Sequence, residues 1–220
     1  MIDFVIAVLT IAATVYGASA GAKLRGRPAY RSFRAGLAET ALVPRRRLSV
    51  TAAALVGSEA VVAGLAIAAV GTTTLLTGAA VVGEWALVGA ALLTSVLAAG
   101  VATVMCRGTR ARCACFGSSS GRPLGGVHLL RNVSLLVVLL SGLAGSELGH
   151  RRPELAGAAV AVAAGAVAGL LLTRFDDLIE LFMPISPAST PAARTVTPAP
   201  SAVRPQSPAA RSASHDGTTG

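Results

Sequence analysis

Apolar residues in this chain come in long blocks rather than in the narrow stripes that mark a helix on the surface of a soluble protein. Five blocks stand out: about Ile2 to Ala22, Leu48 to Val70, Ala79 to Met105, Val127 to Ser146, and Glu154 to Thr173. Each is near the roughly 20 residues that span the hydrocarbon core of a bilayer, and most have no polar face. The pattern predicts an all-α, polytopic membrane helix bundle of four to five transmembrane helices. Residues 1–174 form that bundle. In residues 175–220 the expectation is a short amphipathic helix and then a disordered tail rich in Pro, Ala, Ser and Thr. The short helix rests on Phe175, Leu178, Ile179 and Phe182, which follow helical spacing, with Pro184 ending it.

The polar residues between the blocks set the topology. Lys and Arg number eight in residues 23–47, none between the second and third blocks, four in 106–126, two at Arg151-Arg152, and four in the tail. Alternation of this kind places the loops 23–47 and 106–126 in the cytoplasm, the N-terminus outside, and the C-terminus in the cytoplasm if all five blocks span. Ala18-Ser19-Ala20 resembles a signal-peptidase site. Asp3 precedes that block and Lys23, Arg25 and Arg27 follow it, the reverse of a signal peptide, so the block reads as a retained first helix. In the fifth block Gly157, Ala161, Gly165 and Gly169 recur every fourth residue, a stripe that permits close helix packing.

Composition supports the membrane assignment. The chain is 53% hydrophobic and only 13% charged, against about a quarter charged residues in a soluble domain. A net charge of +9 raises nucleic acid as a partner, but the basic residues lie between apolar blocks, where topology explains them. The expected partner is the lipid bilayer of the cell membrane, with no nucleic acid.

Within the blocks, ionisable residues are few. Glu59 lies about eleven residues into the second block, near the bilayer midplane, where a carboxylate must be protonated or paired. Arg131 and Asn132 open the fourth block from the side of the second basic loop. A long Arg side chain reaching toward Glu59 gives either a coupling site or a buried pair that fixes helix register.

The three cysteines all fall in that loop. Arg112-Cys113-Ala114-Cys115-Phe116-Gly117 places two thiols one residue apart, and they reach disulfide distance only if the backbone turns. Gly117 and the Ser-Gly run after it favour a turn. A ring that small is strained and easily reduced, and Arg110 and Arg112 favour the thiolate. The local chemistry suits a reversible redox pair. Inert packing, lipidation beside the membrane, and metal binding by Cys106, Cys113, Cys115 and His128 compete with it, although that spacing matches no standard zinc pattern.

The Cys-Ala-Cys-Phe-Gly run, followed after a short loop by Arg131-Asn132 opening a helix, resembles the methylamine-utilisation MauE family, membrane proteins related to DoxX and DoxD. Lys23 after the first helix, Pro44 before the second and Glu59 inside it are weaker points of likeness. The resemblance spans about residues 2–145 and leaves Cys106, the fifth helix and the tail unassigned. It implies a redox-associated membrane protein linked to processing, export or disulfide formation of the methylamine dehydrogenase small subunit, with Cys113 and Cys115 as the redox pair. Arg112, Phe116, Gly117, Arg131, Asn132, Glu59 and Lys23 would support that pair. Electrons would pass to a partner membrane or exported redox protein, or to quinone; no metal is expected. Such a chain is at most a thiol–disulfide exchange protein. A non-catalytic assembly or export factor with a structural Cys loop is the alternative, and a metal transporter or metallochaperone a weaker one.

Overall fold

A computed structural model describes residues 1–75, 80–108, 125–146, 154–175 and 178. These all belong to one compact unit, Met1–Met183. Among them the structure is entirely helical: α1 (Ile2–Leu24), α2 (Arg27–Glu39), a 3-10 turn at Arg45–Arg47, α3 (Leu48–Leu75), α4 (Ala80–Cys106), α5 (Gly126–Ser146) and α6 (Leu155–Thr173). Every helix except α2 is long and apolar enough to cross a membrane, which gives five candidate spans. The predicted amphipathic helix after residue 174 and the tail lie outside the described residues, apart from Phe175 and Leu178.

The spans alternate in direction. Leu9 meets Gly83 and Tyr16 meets Ala90, so α4 runs parallel to α1. Gly17 faces Ala63 in α3, and Val8 and Val5 face Gly142 and Gly145 in α5, so those two run the opposite way. Asp3, Ala7 and Ile11 meet Gly157, Gly165 and Gly169 in order, so α6 also runs parallel to α1. Consecutive spans therefore cross in opposite senses, as short connections between long helices require.

The core is built around α1. Its apolar span is 56% buried, against 33% or less for every other span. Val8, Leu9, Ala12 and Val15 pack there with Val62 and Ala66 of α3, Leu87 and Ala90 of α4, and Leu135 and Leu139 of α5. On the outside, Val50, Leu92, Val137 and Leu155 are each more than half exposed. Water would reject such a surface, whereas acyl chains accept it. The chain is a multi-pass membrane protein associated with the lipid bilayer.

The small-residue stripe of α6 is an interface. A Cβ on Gly165 would lie 2.5 Å from the Ala7 carbonyl oxygen, and one on Gly169 would lie 2.7 Å from Thr14 Cβ. Within lipid, helices gain little from hydrophobic burial against each other, so backbone approach of this kind carries the packing.

Two elements differ from the reading of the pattern. Residues 23–47 are more than a basic connection: α2 forms there, with Pro28 in its first turn, where the missing N–H costs no hydrogen bond. Tyr30, Phe33 and Leu37 follow helical spacing and pack on Ala52 and Val56 of α3. The second span also runs past Val70 to Leu75. There the Thr72 and Thr73 hydroxyls donate to the Ala69 carbonyl at 3.1 and 2.8 Å, so these β-branched residues stay inside the helix with their polar atoms satisfied.

Candidate functional site

One end of the bundle holds a group of buried polar side chains. Lys23 is in the last turn of α1, and its ammonium turns inward to Glu59 of α3. The Nζ donates to both carboxylate oxygens, at 2.5 and 2.6 Å, and to Ser19 Oγ at 2.9 Å. All three ammonium protons are thereby engaged. Both ions are almost fully buried, at 3% and 4% side-chain exposure. The mutual neutralisation is what makes either charge tolerable at this depth.

α2 closes over the pair. The Phe33 ring centroid lies 4.7 Å from Lys23 Nζ, within range of a cation–π contact, and the ring is itself buried. The chain reverses after α2 through Ala41, whose φ of 52° puts it in the left-handed region. Thr40 stabilises the reversal, donating its hydroxyl to the Leu37 carbonyl at 2.7 Å. Leu42 is thereby brought beside Gly100 of α4.

Deeper in the bundle, the Tyr16 hydroxyl lies 2.9 Å from the Ala90 carbonyl oxygen and 2.5 Å from Thr94 Oγ1. These bonds tie α1 to α4 across the core, where a free hydroxyl would be costly. From the other side, α5 contributes Arg131 and Asn132, both buried.

Together these elements enclose a cavity of about 250 Å³. Lys23, Glu59, Arg131 and Asn132 all line it, as do Tyr16 of α1 and His128 of α5. Five residues singled out in the sequence, Lys23, Glu59, His128, Arg131 and Asn132, from three different helices, thus share one space. The ion pair of Glu59 is with Lys23, which the sequence offered only as a minor point of likeness. Tyr16, Thr94, Ser19 and Phe33 were not singled out at all. The only signal for the first three is a hydroxyl inside an otherwise apolar block; for Phe33 it is helical spacing with Tyr30 and Leu37.

Arg112, Cys113, Cys115, Phe116 and Gly117 lie outside the described residues. The segment that carries them leaves α4 at Cys106 and re-enters at α5, and both helices wall the cavity, through Gly100 and Val101 on one side and His128 and Arg131 on the other. Cys106 is a free, exposed thiol. Among the described residues no three His, Cys, Asp or Glu side chains converge as they would to hold a metal ion.

No curated protein and no solved structure matches the chain. Residues 1–145 match the family of the methylamine utilisation protein MauE, a stretch that takes in α1 to α5 almost to the end of α5 and every polar residue of the cavity. The chain belongs to the MauE family, as a multi-pass membrane protein.

Proposed function

We propose that this protein is a membrane thiol–disulfide exchange factor that supports the redox maturation of a partner protein, with Cys113 and Cys115 as the reactive pair. The observation that carries the reading is the position of their segment. In chain order it joins α4 and α5, two of the five helices that line a buried, charge-bearing cavity in a lipid-embedded bundle.

The exchange balances as follows. A thiolate of the partner attacks the Cys113–Cys115 disulfide, forming a mixed disulfide and releasing one cysteine as thiolate. A second partner thiolate then attacks the mixed disulfide, leaving the partner oxidised and both cysteines reduced. The two electrons and two protons gained leave to a second membrane redox protein or to a quinone, which restores the pair. Arg110 and Arg112, adjacent in sequence to the pair, favour the cysteine thiolate that is released, which makes it the better leaving group. In the family the client is the methylamine dehydrogenase small subunit; for this chain the proposed client is an exported or membrane protein whose thiols must pair.

The test is capture. In Cys115→Ser the lone Cys113 thiolate can still attack the disulfide of an oxidised partner, releasing one partner thiolate, but no Cys115 thiolate remains to displace the bound partner, so a mixed disulfide should accumulate and vanish on reduction. The same capture should fail in Cys113→Ser/Cys115→Ser. Alkylation that finds both native thiols permanently reduced, or permanently bonded, under every redox condition would leave a structural assembly factor instead.

A further inference from the structure

We propose that the cavity beneath α2 is a binding site for a small amphipathic molecule whose head presents a hydrogen-bond-accepting oxygen to Asn132. No cysteine enters the argument, but its quinone arm rests on the proposed function, where a quinone is one acceptor of the electrons; the carboxylate arm does not.

The argument starts from a tally of buried polar side chains in the bundle. Thr10, Thr40 and Thr94 donate to backbone carbonyls, and Ser19, Lys23 and Glu59 bond to one another. Arg131 is also partnered. Asn132 differs. It is 8% exposed, it lines the cavity, and its carboxamide makes no side-chain hydrogen bond among the described residues, yet it is not one of the fully enclosed orphan atoms, of which Asp3 Oδ1 is the described one: it opens onto the cavity. A carboxamide carries two N–H donors and one carbonyl acceptor, and the described residues supply a partner to none of them. Buried groups of this kind have partners as a rule, so an unpartnered one facing a cavity marks where a partner binds.

The shape and lining of the cavity define that partner. Its volume is about 250 Å³, enough for a ring-sized or carboxyl head with a few carbons. Beyond the polar wall it is bounded by Val15, Leu55, Leu97 and Leu135, which offer nothing to hold a water cluster. Arg131, already partnered, lines the same cavity. Across the cavity Lys23 and Glu59 satisfy each other. The two N–H donors of the Asn132 carboxamide face this space, and an oxygen acceptor on an apolar body complements them. Two sources share this chemistry: the ring carbonyl of a quinone and the carboxylate of an acyl chain.

The test uses the full chain in lipid nanodiscs, which avoids detergent as a competing amphiphile. Three probes are titrated calorimetrically: a fully ring-substituted decyl benzoquinone, decanoate, and decane as a headless control. At least one oxygen-bearing probe should saturate at one per chain, and Asn132→Leu should weaken it tenfold or more. Saturation by the quinone alone identifies a carbonyl head; saturation by decanoate alone identifies a carboxylate. Gly100→Leu gives a second arm that does not touch the polar wall. A Cβ there meets nothing nearer than Leu42 Cδ1 at 3.8 Å, so the longer side chain should extend into the cavity and abolish binding in a variant whose thermal unfolding is unchanged. Failure of both headed probes to saturate, decane binding as tightly as they do, or unchanged affinity in a folded Asn132→Leu overturns the proposal.

Discussion

Lys23 and Glu59, thirty-six positions apart, meet inside the bundle with both carboxylate oxygens on one ammonium. The contact joins the end of α1 to the body of α3 and fixes how far one helix can slide along the other. Its energetic value lies less in attraction than in the consequence of breaking it. Removing one partner strands a charge that neither lipid nor apolar side chains can solvate. Glu59→Leu and Lys23→Met should each lower stability by about 3–5 kcal/mol, measured by unfolding in micelles. The double variant Lys23→Met/Glu59→Leu should recover most of that loss. Simple additivity of the two single losses would show that the residues are not coupled.

The α1–α6 interface gives a second prediction. Gly165→Ala forces a methyl group against the Ala7 carbonyl, where the cost is backbone displacement of about 1–3 kcal/mol. At Gly64 a Cβ would meet nothing within 4 Å, so Gly64→Ala should be neutral or slightly stabilising through helix propensity. Cysteine cross-linking between Ala7 and Ala164 positions would report detachment of α6. Equal effects of the two alanines would contradict the close approach.

Phe33 anchors α2. Phe33→Ala removes a buried ring from Ala52 and Val56 and uncovers Lys23, at a cost of about 3 kcal/mol. Proteolysis within residues 27–39 should quicken in the variant while the spans stay protected. A cleavage rate that does not change would mean that α2 holds to the bundle by other contacts.

Orientation is testable at Cys106, an exposed thiol at the end of α4. Seven arginines, Arg25, Arg27, Arg31, Arg34 and Arg45–Arg47, are exposed in the connection at the same end of the bundle, and the distribution of charge predicts a cytoplasmic position for that end. In a Cys113→Ser/Cys115→Ser background, a membrane-impermeant maleimide should label Cys106 only after cells are opened. Labelling of intact cells would invert the topology.

The spans were legible because length and uniform apolarity suffice to find them; each block lies within a few residues of its helix. The same uniformity hid the packing. A helix that is apolar all round does not announce which side meets its neighbour, so the sequence could not say that Glu59 faces Lys23 or that Tyr16 reaches Ala90 and Thr94. The glycines of α6 were the exception, because a missing side chain on one face is itself a directional signal. α2 was obscured by its arginines, which read as topology determinants while Tyr30, Phe33 and Leu37 between them formed an apolar face. Lys23 and Glu59 were each visible as rare charges; that they belong together became visible only when α1 and α3 were laid side by side.

The central position of α1 carries a cost in time. During synthesis it precedes every helix that surrounds it, and Lys23 has no carboxylate partner until α3 arrives. Its glycine-packed flank stays open to lipid longer still, until α6 has been made. The first span is therefore held in the bilayer as an unfinished surface, and the last one completes it.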